Sequence, residues 1–132
     1  MTIVVGYTPN EFGQIALAHG IDQARKRGTD LVVVNATRGD AFVDNRFAKK
    51  EQIADLDAEL SSAGISYDVR QSIGSDVAEQ VLDVVDEVAA ELLVIGIRHR
   101  SAVGKMLMGS VAQRLLLDSK APILAVKPGQ QP

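Results

Sequence analysis

The residues best suited to hold a ligand fall in one stretch near the end of the chain. Gly96 closes an apolar run, Arg98 and Lys105 bring positive charge, and Gly109-Ser110 opens a helical pattern. A glycine lets backbone approach a ligand closely, and the free N–H groups of a helix N-terminus favour an anion. The spacing predicts a phosphate site in which the Ser110 hydroxyl either caps the helix or donates to the anion. The alternative is a plain strand-to-helix turn with solvated cations.

This stretch departs from the two common phosphate-binding signatures. In the P-loop pattern, Gly104-Lys105 is followed by Met106 where a hydroxyl must bind magnesium, and His99 occupies the position of the first glycine. In the dinucleotide pattern, the first strand ends at Gly6 without the two further glycines that the fingerprint requires. The sequence therefore excludes both motifs.

Alternating apolar runs and helical periods must position the stretch. Short, nearly continuous apolar runs predict strands over 2–7, 30–36, 91–97 and 122–128, and an alternating run predicts a strand over 65–71. Helical patterns lie between them: 11–27, the stripe that ends at Gly64, a helix from Ser75-Asp76, and a helix over 110–118. Strands that are apolar throughout are covered on both faces, which predicts a doubly wound parallel α/β domain. Residues 37–47 are predicted to form a loop.

In such a sheet a ligand binds beyond the carboxyl ends of the strands, where the strand order reverses. If strands one and four are neighbours there, the turn over 7–11 and the stretch over 94–116 form the site. The first helix carries small residues on one face, including Gly13, Ala16 and Gly20, so it can lie close to the sheet. Pairs at capping-box spacing, Asp76 with Glu79 and Ser110 with Gln113, are predicted to cap the last two helices.

Composition narrows the classes of function. The chain has 132 residues, a net charge of −3 and no cysteine, which excludes disulfides and thiolate chemistry. With no basic block and no long apolar run, binding to nucleic acid or to a membrane is not expected. Met1 leads directly into the first strand, so we expect no signal peptide and a cytoplasmic location.

Several segments together resemble the universal stress protein family. They are "IVVGYTPNEFGQIAL", "GSDVAEQVLDVVDEVAAELLVIGIRHRS", "GKMLMGSVAQRLLLDS" and "APILAVKP", and they cover nearly the whole chain. The resemblance implies an adenine nucleotide alpha hydrolase-like fold with a five-stranded parallel sheet of order 3-2-1-4-5 and helices on both faces. It also implies one domain over 1–128, followed by a frayed tail over 129–132.

The resemblance further implies binding of ATP or AMP, with Mg²⁺ possible alongside ATP. The family motif Gly-x2-Gly-x9-Gly-Ser is matched at Gly96 and at Gly109-Ser110, whereas His99 stands in place of the second glycine. Thr8 stands where the family often has an aspartate near the adenine and ribose. The implied nucleotide-binding residues are Tyr7, Thr8, Ala36, Ile95, Gly96, Arg98, His99, Gly109, Ser110, Val111 and Ala112.

No group of residues indicates bond-making chemistry. His19 and His99 have no evident nucleophile beside them, and the carboxylates lack metal-ligand spacing. The leading interpretation is a nucleotide-binding protein with a regulatory role in stress response, an unidentified protein partner and at most weak ATP hydrolysis. The alternatives are an interaction module of the same fold that binds no nucleotide, and a slow nucleotide hydrolase or phosphotransferase.

The last strand predicts self-association. Residues 122–128 would lie at a sheet edge in the order 3-2-1-4-5, and the run from Ile123 to Val126 carries no charge. An exposed apolar edge favours pairing with another strand. Many universal stress proteins dimerise through their last strand, and the resemblance implies a homodimer through 122–128. The alternative is a monomer in which Pro122 and Pro128 keep this strand short.

Overall fold

The computed structural model describes residues 1–38, 48–74, 76–98 and 109–132. Strands and helices alternate as the sequence predicts. The third strand begins at Tyr67, two residues later than expected, because its pairing with the second strand starts with Leu31 opposite Tyr67. Beyond Arg38 the predicted loop lies outside the described residues. In chain order the elements are β1 (Thr2–Gly6), α1 (Glu11–Arg27), β2 (Asp30–Thr37), α2 (Lys50–Ser62), β3 (Tyr67–Ile73), α3 (Val77–Glu87), β4 (Leu92–Gly96), α4 (Ser110–Asp118) and β5 (Ile123–Val126).

The strands form one parallel sheet in the order β3-β2-β1-β4-β5. β1 pairs with β2 on one side, with Val4 opposite Val32, and with β4 on the other, with Val4 opposite Leu93. The order therefore reverses between β1 and β4, which confirms the predicted doubly wound topology and places the switch point where the sequence predicts a site.

Helices cover both faces of this sheet. On one face, α1 and α2 pack against alternate strand residues such as Ile3, Val5 and Leu31. On the other face, α3 and α4 pack against the intervening residues, including Val4 and Leu93. All five of these strand residues are fully buried, which explains the nearly continuous apolar runs in the sequence.

The small residues of α1 let this helix approach β1 closely, as predicted. Gly20 is buried against the sheet. A Cβ at Gly20 would overlap the side chain of Val5 and lie 3.4 Å from Cδ1 of Leu31. The glycine is therefore required by the packing of the helix on the strand.

The helix N-termini differ in how they are capped. The side chain of Asp76 accepts a hydrogen bond from the Glu79 N–H and caps α3, in line with the sequence. The predicted cap by Ser110 is wrong, because Ser110 is the first helical residue and Gly109 occupies the cap position with extended backbone at φ −61° and ψ 152°. Gly109 has no side chain to offer, so α4 begins without a side-chain cap.

Within the described ranges, no helix is long and apolar enough to cross a membrane.

Candidate functional site

A cavity of about 260 Å³ opens at the carboxyl ends of β1 and β4. It lies at the switch point of the sheet, with strand ends and the turn after β1 on one side and the helices α3 and α4 on the other. The residues that line it are Gly6, Tyr7, Thr8, Asn10, Phe12, Val34, Ala36, Val77, Val81, Ile95, Gly96, Ile97, Arg98, Gly109, Val111, Ala112 and Leu115.

The interior of the cavity is apolar. Ala36 and Ile95, from β2 and β4, belong to the cluster that packs against α3 and α4. Val81 and Leu115 bring these two helices to the same space and are themselves buried. A flat aromatic base is the kind of ligand group that such a surface accepts.

The turn after β1 is ordered by a compact hydrogen-bond network. Asn10 caps α1, since its Oδ1 accepts from the N–H groups of Phe12 and Gly13 at 3.1 and 3.2 Å. The same oxygen accepts from the Thr8 hydroxyl at 2.7 Å. A Cβ at Gly13 would overlap the Thr8 carbonyl oxygen and lie 2.6 Å from the Thr8 nitrogen. The turn therefore packs directly onto the first turn of α1.

Tyr7 lines the cavity while its side chain belongs to the core under α1 and α2. The Tyr7 hydroxyl accepts a hydrogen bond from Nε2 of Gln14 at 3.1 Å. Burial raises the pKa of the Tyr7 phenol above its ordinary value, and the charge of Glu59 raises it further. Tyr7 is thus a neutral residue that anchors the turn.

Asn35, in β2, holds the same turn in place through a hydrogen bond. This fully buried side chain donates from Nδ2 to the Tyr7 carbonyl oxygen at 2.9 Å, and its Oδ1 accepts from the Ala48 N–H at 2.7 Å. Nε2 of Gln71 donates to the same Oδ1 at 3.1 Å and to the Ala48 carbonyl at 2.9 Å. Asn35 therefore connects the end of β1 to β3 and to the residues that lead into α2.

Packing gives a reason for glycine at position 96 besides the one predicted from the sequence. The sequence predicts that its missing side chain makes room for a ligand. In the folded chain a Cβ at Gly96 would also overlap the Phe12 carbonyl oxygen and lie 2.8 Å from the carbonyl carbon. The residue lines the cavity, but its size is fixed by the contact between the end of β4 and the first turn of α1.

The polar end of the cavity carries positive charge. Arg98 is exposed and forms no ion pair within the described part of the chain. Gly109 leaves the first-turn N–H groups of α4 without a side-chain partner, and Val111 and Ala112 belong to this turn. Among the described lining residues there is no carboxylate. This arrangement suits an anionic group beside an apolar one.

The structure brings most of the predicted residues together. Ser110 is exposed and does not line the cavity, while His99 and Lys105 lie outside the described residues. The predicted residues that line the cavity are Tyr7, Thr8, Ala36, Ile95, Gly96, Arg98, Gly109, Val111 and Ala112.

Sequence reasoning missed Asn10 and the wall formed by α3. Asn10 stands directly before the first helical period, which is a cap signal, and it falls within the turn over 7–11 predicted to form the site, but it was not among the predicted binding residues. Val77 and Val81 were assigned to the apolar face of α3, and the structure shows that this face also lines the cavity. No group of three or more metal-ligating side chains occurs among the described residues.

Comparisons with known proteins agree with this architecture. Residues 1–127 match the sequence profile described as the universal stress protein family. A universal stress protein of Mycolicibacterium smegmatis is 54% identical over 126 residues, which cover 96% of this chain and 97% of the relative.

Two solved structures are similar over nearly the whole chain. A universal stress protein from Archaeoglobus fulgidus has a TM-score of 0.71 and 31% identity, covering 96% of this chain and 98% of its own. A second structure, of the universal stress protein from Archaeoglobus fulgidus in complex with dAMP, has a TM-score of 0.65, 27% identity and the same two coverages. With the family profile and a 54% identical relative spanning the same elements that build the cavity, the chain belongs to the universal stress protein family.

Proposed function

We propose that this protein binds an adenine nucleotide, AMP or ATP, in the cavity at the β1–β4 switch point, and that it acts as a regulatory stress protein. The observation that carries the proposal is the pairing, in one cavity, of an apolar interior with the Arg98 guanidinium, which forms no ion pair among the described residues, and a helix N-terminus without a side-chain cap. An adenine base and a phosphate chain need these two environments side by side.

In this proposal the adenine lies against Ala36 and Ile95, and the phosphates extend toward Gly109. The N–H groups of the first turn of α4 then donate to phosphate oxygens, and Arg98 neutralises their charge. Mg²⁺, if it accompanies ATP, is held by the phosphates and water, because the described lining residues supply no carboxylate.

The comparisons support a nucleotide ligand without identifying it. The Archaeoglobus fulgidus protein bound to dAMP shares 27% of its residues with this chain and covers 96% of it. Thr8 replaces the aspartate that the family often has in the first turn, so this chain contacts the nucleoside with a neutral side chain. We further propose that it does so in the cytoplasm, where a bound nucleotide controls its association with a protein partner.

Isothermal titration calorimetry of the purified, nucleotide-free protein tests the proposal. AMP, ATP and ATP with Mg²⁺ should each release heat, and each should raise the melting temperature, because a ligand that binds only the folded state stabilises it. Mass spectrometry of the protein as purified should detect an adenine nucleotide. No heat and no thermal shift at millimolar nucleotide would favour an interaction module that binds no nucleotide.

The size of Gly109 gives a more specific prediction. Among the described residues a Cβ at this position meets no atom within 4 Å, so we expect Gly109→Val to keep the fold. Its branched side chain would occupy the space proposed for the phosphates, and we expect AMP and ATP affinity to fall at least about tenfold with an unchanged circular dichroism spectrum. Gly109→Ser is the smaller control and should bind better than the valine variant. Wild-type affinity in Gly109→Val would place the ligand elsewhere.

We also propose a homodimer formed through β5. This strand pairs with β4 alone, and Ile123, Leu124 and Ala125 are only half-buried. The opposite edge is protected differently: in β3, Arg70 forms ion pairs with Asp68 at 2.9 Å and with Glu87 at 2.5 Å. Charged side chains deter edge-to-edge pairing, so the uncharged edge at β5 is the one suited to a second copy.

A further inference from the structure

We infer that Asn10 contacts the nucleotide, with its amide nitrogen donating hydrogen bonds to a ligand oxygen. The inference rests on the proposed function, because it concerns the same cavity. Asn10 lies at the rim, lines the cavity together with Thr8, and is exposed in the unliganded protein. A bound ligand could therefore reach it without displacing another residue.

The orientation of the Asn10 amide is fixed by its three hydrogen bonds. The N–H groups of Phe12 and Gly13 can only donate, so the side-chain atom that receives them must be Oδ1 and not Nδ2. The hydroxyl of Thr8 donates to the same oxygen at 2.7 Å. The planar amide consequently turns Nδ2 away from the first turn of α1.

Two donors remain on this nitrogen. Within the described residues, Nδ2 of Asn10 has no hydrogen-bond partner, while Oδ1 has three. A carboxamide whose oxygen is saturated and whose nitrogen is open acts as a donor group toward any ligand in the cavity. The cap of α1 thus holds the side chain still while leaving its N–H groups for binding.

The Thr8 hydroxyl has the complementary polarity. Because its hydrogen is donated to Asn10, only its oxygen lone pairs are available, and it acts as an acceptor toward a ligand. The turn therefore presents donors at Asn10, an acceptor at Thr8 and no charge. A ribose hydroxyl can use both residues, whereas a phosphate oxygen can use only the donors of Asn10.

Two substitutions separate binding from folding. Asn10→Ser and Asn10→Asp both keep a side-chain oxygen that can cap α1, and both remove the amide N–H groups. Asn10→Asp also places a negative charge at the rim. We expect unchanged circular dichroism and a melting temperature without ligand close to the wild-type value. AMP affinity should fall about tenfold in the serine variant and further in the aspartate variant.

The choice of nucleotide distinguishes the two ligand oxygens. If Asn10→Ser weakens adenosine as much as AMP, the contact is to the ribose; if it weakens AMP and ATP alone, the contact is to phosphate. Glu11→Gln, which changes the charge of the adjacent residue outside the cavity lining, is the control and should bind within about twofold of wild type.

These experiments distinguish a failure of the Asn10 inference from a failure of the proposed function. If wild type binds these ligands and Asn10→Ser binds adenosine, AMP and ATP with wild-type affinity, this inference is overturned and the proposed function stands. A wild-type protein that binds none of the three overturns both.

Discussion

At the scale of single residues, glycine and asparagine decide how the turn after β1 is built. Gly13 lets the Thr8 carbonyl rest on α1, and Gly96 lets β4 end against Phe12. Asn35 satisfies the Tyr7 carbonyl from inside the core, where an unpaired polar group would be costly. These contacts fix the position of the cavity lining before any ligand binds.

Gly13→Ala should therefore destabilise the protein. The added Cβ overlaps the Thr8 carbonyl oxygen, and relief requires the turn to move away from α1. Urea unfolding should show a loss of about 3 kcal/mol, the cost of overpacking a tight contact. Gly109→Ser, where a Cβ meets no atom of the described residues within 4 Å, is the matched control and should unfold like wild type. An unaltered midpoint for Gly13→Ala would mean that the turn shifts freely.

At the scale of elements, an ion pair connects the two helices that form one wall of the cavity. Nη1 of Arg114 in α4 lies 2.6 Å from Oδ2 of Asp76, the cap of α3, and its Nε lies 3.0 Å from Asp118. The pKa of Asp76 is lowered, chiefly because its carboxylate accepts from the Glu79 N–H and also because of Arg114. The ionised carboxylate of Asp76 thus caps α3 and also forms the ion pair that links α3 to α4.

This shift predicts a pH-dependent contribution to stability. The pKa of Asp76 in the folded state lies below its ordinary value of 3.8. The ionised Asp76 therefore stabilises the folded state fully above pH 3.8, and this stabilisation is lost as the pH falls through the depressed pKa. Urea unfolding of wild type and Asp76→Asn should differ near neutral pH, and the difference should shrink under acidic conditions. Asp83→Asn, which removes an exposed carboxylate of the same helix that forms no ion pair among the described residues, is the control for the loss of a negative charge. A gap that stays constant with pH would exclude ionisation as its source.

At the scale of the whole molecule, the two sheet edges are unequal. The β3 edge carries the Arg70 ion pairs, whereas β5 presents four uncharged residues and pairs with β4 only. This asymmetry is the physical basis for proposing that two copies assemble through the β5 edge.

Leu124→Lys should shift the protein toward monomer in sedimentation velocity experiments, because it places a charge on the proposed interface. Ala125→Lys provides a second variant if the first perturbs packing under α1. Ile73→Lys, at the opposite edge where the side chain is 59% exposed, is the matched control and should sediment like wild type. A wild-type chain that stays monomeric at high micromolar concentration would refute the dimer.

The order of elements, the strand and helix faces and the neighbourhood of the site were predictable from the sequence, because they depend on local periodicity. Runs such as Ile3 to Val5 predict buried strands, and the spacing of Gly13 and Gly20 predicts a helix close to the sheet. The presence of both Gly96 and Gly109 in the lining of one cavity followed from parallel topology and its switch point.

Contacts between residues distant in the chain required the tertiary structure. Only the folded chain brings Gly96 against Phe12, so the packing reason for that glycine was not visible in the sequence. The hydrogen bond between Asn35 and Ala48 likewise follows from how the helices lie on the sheet, as does the presence of Val81 in the cavity lining beside the strand ends. Local periodicity determines which face of an element is apolar, whereas the partner that this face meets depends on the geometry of the whole fold.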